Sequence, residues 1–388
     1  MPQQQLTLAQ LQQINAQARG LILANSLQMT QQIFSAAYNP TTQNVIVVNP
    51  RNVGLIKGFI VEVNGSITNN GMTTAATRTG FGMSNALTNI QFNDLNNIVR
   101  INTSGRHIAM LNNVRSGAAY GGAYAPTYPA TLGANFTVQN APATIAAGAT
   151  SAVRFIYWIP IAYASDDLRG AIYAATVNAT MQLQLTINPT PVIASGDPLT
   201  AIYSGNTGAW SGNVTITVYQ QYFDQLPTGN NNVPILPPLD LNNYYQLLET
   251  NLTGMVAGTD FPYGYANFRD YYSTMATYDN AGVFNTGSDV NYWSLVSSNL
   301  TQIFKITPEI AALWARQATL QDMPPGCYWF DSRGGGQNPI NTVNFGNMQL
   351  NLNASAVTAN AALYIATEAF GQITQVSTVT GPSSASAG

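Results

Sequence analysis

The chain has 388 residues, of which 46% are hydrophobic and only 7% are charged, whereas about a quarter of residues are charged in a typical protein. Its formal net charge is −3, from 13 basic and 16 acidic residues. The basic residues form no run of the kind that follows a phosphate backbone, so we expect no direct contact with nucleic acid.

The polar residues are mostly uncharged, and the few charges are unevenly placed. Asn, Gln, Ser and Thr carry the polarity, and such side chains can be buried against neighbours without leaving an unpaired charge. Residues 1–130 hold seven basic and two acidic residues, a net charge of +5, whereas residues 131–388 carry −8. This composition favours a subunit that is surrounded by copies of itself.

The first 35 residues are rich in Gln and predict a helix. Thr7 and Gln10 fit a capping box, and Arg19 is the only charge. An apolar stripe follows at helical spacing. Its members, with Arg19, are the candidates for contact with a membrane: Leu11, Ile14, Ala18, Arg19, Leu21, Met29 and Ile33. The alternative is a helix that packs on its own domain.

From about Asn44 the hydrophobic period changes to two, which predicts half-buried strands. Phe59, Val61 and Val63 alternate with other residues, and the same pattern recurs late in the chain around 348–353. Strands therefore cover both halves of the sequence.

A stretch rich in Pro, Gly and Asn, from Pro227 to Pro238, separates the two halves and predicts a domain boundary. The expected organisation is a helical arm, a first jelly roll, a linker, a second jelly roll and a tail. Their predicted ranges are 1–35, 36–228, 229–240, 241–375 and 376–388.

The two halves share an order of elements, which predicts an internal duplication. In the first half we expect a helix that opens at Ser165–Asp167, and in the second a helix with Pro308 at its first position and Ile310, Leu313 and Trp314 on one face. The strands at 213–223 and 362–370 are expected to close the two units. The predicted fold class is all-β with minor helices, a double jelly roll of two eight-stranded sandwiches with an N-terminal helix.

The residues that usually carry catalysis are scarce. His107 is the only histidine, so triads and multi-histidine metal sites lack a second imidazole. We interpret His107 and the lone Cys327 as structural, and the adjacent Asp166 and Asp167 as acids that favour a helix start. No catalytic residue, metal site or cofactor is expected, and the chain is not expected to be an enzyme.

The longest nearly apolar run, Phe155–Ala164, is too short to span a bilayer. The N-terminus does not resemble a secretory signal, so we expect the product to stay in the cell that makes it.

Several segments resemble the major capsid proteins of tectiviruses. They occur in the same order from about residue 50 to 350, and their joint match makes the resemblance specific. These segments are Asn52–Phe59, Ile67–Asn70, Ala141–Thr150, Tyr157–Tyr163, Val218–Pro227, Ile235–Pro237, Leu239–Leu241 and Phe284–Tyr292.

The resemblance implies a function in a virus particle. Proteins of that family are double jelly rolls that form pseudo-hexagonal homotrimers, and these tile an icosahedral shell over an internal lipid membrane that encloses double-stranded DNA. It also implies that the N-terminal helix lies near that membrane. The implied partners are further copies of the chain and the minor capsid, vertex and membrane proteins, and the implied location is the virion capsid, assembled in the cytoplasm of a bacterial host.

Two other classes stay open at this point. Asn, Tyr and Trp on β-sandwiches also suit a surface adhesin that binds carbohydrate. A glycosidase-type enzyme would need two carboxylates brought together from distant positions.

Overall fold

The structure is a computed structural model. It describes residues 7–116, 139–164, 166–175, 179–195, 199–229, 232–280, 289–297, 302–319, 323, 326–331, 339–342 and 347–372.

The N-terminal helix, α1 (Leu8–Asn25), begins at the predicted capping box. The backbone amide of Gln10 donates to Thr7 Oγ1 at 3.3 Å, and the backbone amide of Thr7 donates to Gln10 Oε1 at 2.8 Å. These two bonds satisfy amides that have no partner within the helix.

The prediction that the helix continues to residue 34 is wrong. Ser26 is extended, and strand β1 (Leu27–Tyr38) follows directly. β1 pairs antiparallel along its length with a strand near the end of the first jelly roll, from Leu27 opposite Asp224 to Tyr38 opposite Val214. Long-range pairing of this segment outweighs its helical spacing, and its Thr30, Ile33, Phe34 and Tyr38 side chains suit a strand.

Sixteen strands form the two jelly rolls. The first unit contains β1, β2 (Val45–Val48), β3 (Leu55–Asn69), β4 (Leu87–Asn93), β5 (Val99–Thr103), β6 (Thr150–Pro160), β7 (Gln182–Ile187) and β8 (Val214–Asp224). The second contains β9 (Asn243–Thr253), β10 (Asp260–Gly264), β11 (Asp270–Asp279), β12 (Val290–Val296), β13 (Gln302–Ile306), β14 (Cys327–Asp331), β15 (Gln349–Ala354) and β16 (Ala362–Gln372).

Within the described ranges, three further helices lie between the strands. α2 (Gly105–Ser116) follows β5, α3 (Pro238–Leu241) precedes β9, and α4 (Pro308–Thr319) follows β13. Short elements among the described residues include the 3₁₀ turn Gly82–Ala86 and the strands Ala76–Arg78, Gln139–Asn140, Thr144–Ile145, Ile172–Tyr173, Val192–Ile193, Tyr203–Ser204, Gly208–Trp210 and Ile340–Asn341.

The two units have the same topology. In the first, the order β1-β8-β3-β6 faces β2-β7-β4-β5, and in the second, β9-β16-β11-β14 faces β10-β15-β12-β13. The eighth strand lies between the first and third in both units, which confirms that residues 362–370 are the counterpart of 213–223. The double jelly roll predicted from the sequence is therefore the observed fold.

One sheet runs through both units. β5 of the first pairs in parallel with β9 of the second, with Ile101 opposite Leu247 and Asn102 opposite Leu248. The facing sheet of the first jelly roll thus continues into the second. The predicted alternation is present in β3 of the opposite sheet, where Phe59, Val61 and Val63 are fully buried.

The expectation of a helix that opens at Ser165–Asp167 is corrected. Among the described residues 166–171 there is no helix; Asp167 accepts hydrogen bonds from Arg169 in a turn. The helix of the first jelly roll is α2 instead. Among the described helices, none has the length and apolar character that crossing a bilayer requires.

Candidate assembly surfaces

The junction between the two jelly rolls is built on a buried carboxylate. Glu249 of β9 faces α2, where Arg106 Nη2 donates to its Oε1 at 3.0 Å and His107 Nδ1 lies 3.0 Å from its Oε2. The Ser104 amide, just before α2, also donates to Oε2. His107 is fully buried, as expected for a structural residue.

The environment of Glu249 keeps it ionised. Burial by itself would raise the pKa of its carboxyl, but attraction to His107 and Arg106 outweighs burial and holds that pKa well below the ordinary value. The buried carboxylate is tolerated here because Arg106, His107 and the Ser104 amide all contact its oxygens.

A second cluster closes the same junction farther along α2. Arg115 forms an ion pair with Glu368 of β16. The Glu368 carboxylate also accepts hydrogen bonds from the Tyr245 hydroxyl at 3.0 Å and the Ser273 hydroxyl at 2.7 Å. The net positive N-terminal half therefore contributes guanidinium groups to carboxylates of the net negative C-terminal half, which gives the uneven charge of the sequence a structural reason.

Helix α1 docks on the linker between the jelly rolls. Arg19 donates to both carboxylate oxygens of Asp240, at 2.8 and 2.6 Å, and Asn15 Nδ2 donates to the same group at 2.9 Å. Asn15 Oδ1 in turn accepts from the Leu239 and Asp240 amides. This end of the linker is thus fixed to the N-terminal helix.

The seven predicted membrane-facing residues do not share one surface. Ala18 is 2% exposed, and Arg19 is engaged by Asp240, so neither is available to a membrane in the way predicted. Met29 and Ile33 lie in β1 and pack against the main core. The stripe was predicted for a longer helix, and it breaks where the chain becomes a strand.

The remaining candidates stay on the helix. Ile14 and Leu21 are each 41% exposed, while Leu11 is half-buried. Ile14 and Leu21 are seven residues apart and so lie on the same side of the helix.

Helix α4 packs on the core through its small residues, and its large apolar residues face outward. Ala311 and Ala315 face the core, whereas Ile310, Leu313 and Trp314 are 40, 49 and 41% exposed. Three large apolar side chains on one outward helix face form a candidate docking surface. We call this surface the α4 face.

The outer surface of the β1-β8-β3-β6 sheet is also partly open. Gln32, Tyr219, Ile60 and Trp158 lie in one row across its four strands. Tyr219, Ile60 and Trp158 are half-buried, and Trp158 Nε1 donates to Gln221 at 3.0 Å. We call these four residues the Trp158 row.

Cys327 lies in the interior, where burial raises the pKa of its thiol to about 12. Within the ranges that the structure describes, no three His, Cys, Asp or Glu side chains form a group suited to a metal ion.

Comparison with known proteins gives one consistent match. The family described as P3 major capsid protein N-terminal matches residues 2–226, and the one described as P3 major capsid protein C-terminal matches residues 242–384. The sequence is 37% identical over 367 residues to "Major capsid protein P3" of Enterobacteria phage PRD1, covering 93% of this chain and 92% of that protein.

Solved structures share the fold at much lower identity. The STIV MCP superposes with a TM-score of 0.65 at 12% identity, covering 89% of this chain and 97% of the other. The major capsid protein P2 of bacteriophage PM2 gives a TM-score of 0.50 at 8% identity, covering 90% and 99%. Their similarity shows the double jelly-roll fold.

Proposed function

Because this chain belongs to the P3 major capsid protein family, we propose that it forms homotrimeric, pseudo-hexagonal capsomers that tile an icosahedral shell over an internal membrane enclosing double-stranded DNA. Its family is one of structural capsid proteins and not of enzymes. Membership of this family also favours the capsid over the adhesin.

The observation that carries the proposal is the repeated topology within one chain. Two jelly rolls of identical strand order are joined by a shared sheet and by buried ion pairs. Three such chains would place six similar units around one axis, which gives a nearly hexagonal outline suited to tiling. The proposed division keeps two jelly rolls, at 36–228 and 241–375, around a linker at 229–240, with β1 now added to the first.

The N-terminal helix is proposed to lie on the inner side of the shell. Ile14 and Leu21 would contact lipid, with Leu8, which is 66% exposed, adding to the apolar area. Because Arg19 is neutralised by Asp240, this attraction would be apolar rather than electrostatic.

The proposed setting is the virion. There the capsomers would contact neighbouring capsomers and the minor capsid, vertex and membrane proteins, after assembly in the cytoplasm of a bacterial host.

Sedimentation of the purified chain tests the central part of this proposal. We expect a single species with the mass of three chains across micromolar concentrations. A stable monomer over the same range would overturn it.

A further inference from the structure

The two jelly rolls can be matched residue by residue through their strand registers. In the second unit, one row across the sheet consists of Glu249, Ala366, Met275 and Trp329. The Trp158 row occupies the same place in the first unit. In both units, the first residue of the third strand that pairs with the eighth strand, and its partner on the eighth strand, serve as starting points. The row residues lie equally far from these starting points in the two units. The third and eighth strands also have a register shift near the same end in both units.

The helices can be matched in the same way. A single residue separates β5 from α2, and a single residue separates β13 from α4; both helices have 12 residues. This places Ile310 at the position of His107, Leu313 at that of Met110 and Trp314 at that of Leu111.

Equivalent positions differ sharply in burial. His107, Met110 and Leu111 are at most 6% exposed, because α2 packs between its own sandwich and the second jelly roll. Ile310, Leu313 and Trp314 are at least 40% exposed. The same helix face is thus covered in one unit and open in the other.

The row that faces the helix shows the same contrast. Ala366 and Met275 are fully buried and Trp329 is 3% exposed, because the first jelly roll covers them. Their counterparts Tyr219 and Ile60 are only half-buried. Within one chain, α2 therefore packs on the sheet row of the second unit. The equivalent helix surface, the α4 face, and the equivalent sheet surface, the Trp158 row, both remain exposed to different degrees.

We propose that the α4 face of one copy packs on the Trp158 row of the next copy, so that the junction inside the chain is repeated between chains. This inference rests on the proposed homotrimer and names the surfaces that would build it. Such a contact joins different surfaces of identical chains, and it closes into a ring when the last copy meets the first.

The chemistry of the two surfaces is complementary. Leu313 and Trp314 would bury apolar area against Ile60, Tyr219 and Trp158. The equivalent side chains at the junction inside the chain are already buried. At the charged position, Gln32 stands in place of Glu249, and Glu309 stands in place of Arg106. An amide that donates to a carboxylate would replace the guanidinium–carboxylate pair, so no like charges would meet.

The strand edges support the same arrangement. In the described parts of the sheets, β1 and β13 are both edge strands. They correspond to β9 and β5, which pair in parallel inside the chain. The equivalent pairing between copies places Lys305 of β13 opposite Gln31 of β1, which would satisfy backbone groups that an edge strand leaves open.

The first test is substitution of the α4 face. Leu313→Glu puts a charge on a side chain that is exposed in the single chain, so folding should be retained while the trimer dissociates, with assembly weakened roughly 30-fold or more. Val256→Glu, at a 62% exposed position outside both surfaces, is the matched control. Sedimentation gives the assembly state and circular dichroism the fold.

The second test is a cross-link between copies. The pair Lys305→Cys and Gln31→Cys should give covalently linked multimers on a non-reducing gel, whereas Lys305→Cys alone should not. Asn102→Cys with Leu248→Cys, at the matched positions of the inner junction, should form a disulfide within one chain and no multimers.

The outcomes separate the two proposals. A wild-type trimer that survives Leu313→Glu and gives no Lys305–Gln31 cross-link would overturn this inference and leave the homotrimer standing. A wild-type chain that is monomeric would overturn the homotrimer, and the inference with it.

Discussion

Glu249 shows why a chain with so few charges keeps some of them in its interior. Its carboxylate joins the first strand of the second jelly roll to the helix of the first, through Arg106 and His107. Removing one partner of such a cluster leaves the others buried without compensation, which costs more than the cluster itself contributes.

We therefore predict that Glu249→Gln lowers the free energy of unfolding by about 3 kcal/mol near neutral pH. Chemical denaturation of the two proteins measures the difference. Asp224→Asn, at an exposed carboxylate, serves as the control and should change little.

The same substitution should have a defined pH dependence. The folded pKa of Glu249 is below its ordinary value of 4.5, so its contribution is fully present above pH 4.5 and is lost as the pH falls toward the folded pKa. The gap between wild type and Glu249→Gln should narrow below pH 4.5. A gap that widens in acid would contradict this assignment.

The two equivalent tryptophans give a second prediction. Trp329→Ala should lower the free energy of unfolding by about 3 to 5 kcal/mol, because it opens a cavity at the inner junction. Trp158→Ala should cost much less in a dissociated chain and should mainly weaken assembly. Equal effects of both on unfolding, with assembly unchanged, would show that Trp158 is only a core residue.

At the residue scale, the sequence identified few of the important side chains. It interpreted His107 and Cys327 as structural, and both are buried, with the Thr277 hydroxyl between them. It missed Glu249 and Asp240, since their partners lie more than 100 residues away in the chain and no local spacing connects them.

At the scale of single elements, one face of α1 packs on the linker and another is exposed. One side places Asn15 and Arg19 on the linker and buries Ile22, while Ile14 and Leu21 stay exposed on another. A deletion that tests the helix must therefore end before Leu27, because the following residues form β1.

We predict that a chain lacking residues 1–25 still folds and trimerises but melts at a lower temperature, since Asp240 loses both side-chain partners. A chain lacking residues 1–34 should be far less stable, because eight residues of β1 are also lost. Scanning calorimetry and sedimentation provide the comparison. Loss of the trimer in the shorter deletion would show that α1 is part of the trimer contact.

The exposed side of α1 can be tested without deleting it. We predict that Ile14→Ser with Leu21→Ser reduces binding of the trimer to lipid vesicles while the melting temperature stays nearly unchanged. Val233→Ser with Val256→Ser, at exposed apolar positions outside the helix, is the matched control. Vesicle flotation that is equal for both variants would remove the proposed membrane contact.

Elements were predicted best where the pattern is set by local packing. The period-two strands and the capping box of α1 depend on neighbouring residues, and they are present as expected. The orientation of α4 was not visible in the sequence, because its small residues face the core and its large ones face outward. The proposed contact with the next copy would cover these large side chains.

At the scale of the whole molecule, a shared sheet and buried ion pairs join the two jelly rolls. β5 and β9 pair directly, and the ion pairs of α2 cross the same junction. We predict a single cooperative unfolding transition for a dissociated chain such as Leu313→Glu. Calorimetry should give equal calorimetric and van't Hoff enthalpies, whereas two separated transitions would show that the junction is weak.

The duplicated architecture could be predicted because both halves repeat the order of their elements and the boundary is rich in Pro and Gly. The continuous sheet could not, since the β5–β9 pairing joins strands more than 140 residues apart. The resemblance to capsid proteins supplied the function, which periodicity alone did not provide.

An electron cryo-microscopy map of the purified assembly tests the proposed trimer and its α4 contact together. We expect a ring of six jelly rolls around a threefold axis, with α4 of each chain packed on the β1-β8-β3-β6 sheet of the next. A twofold dimer, or a ring in which Ile310, Leu313 and Trp314 face solvent, would contradict it.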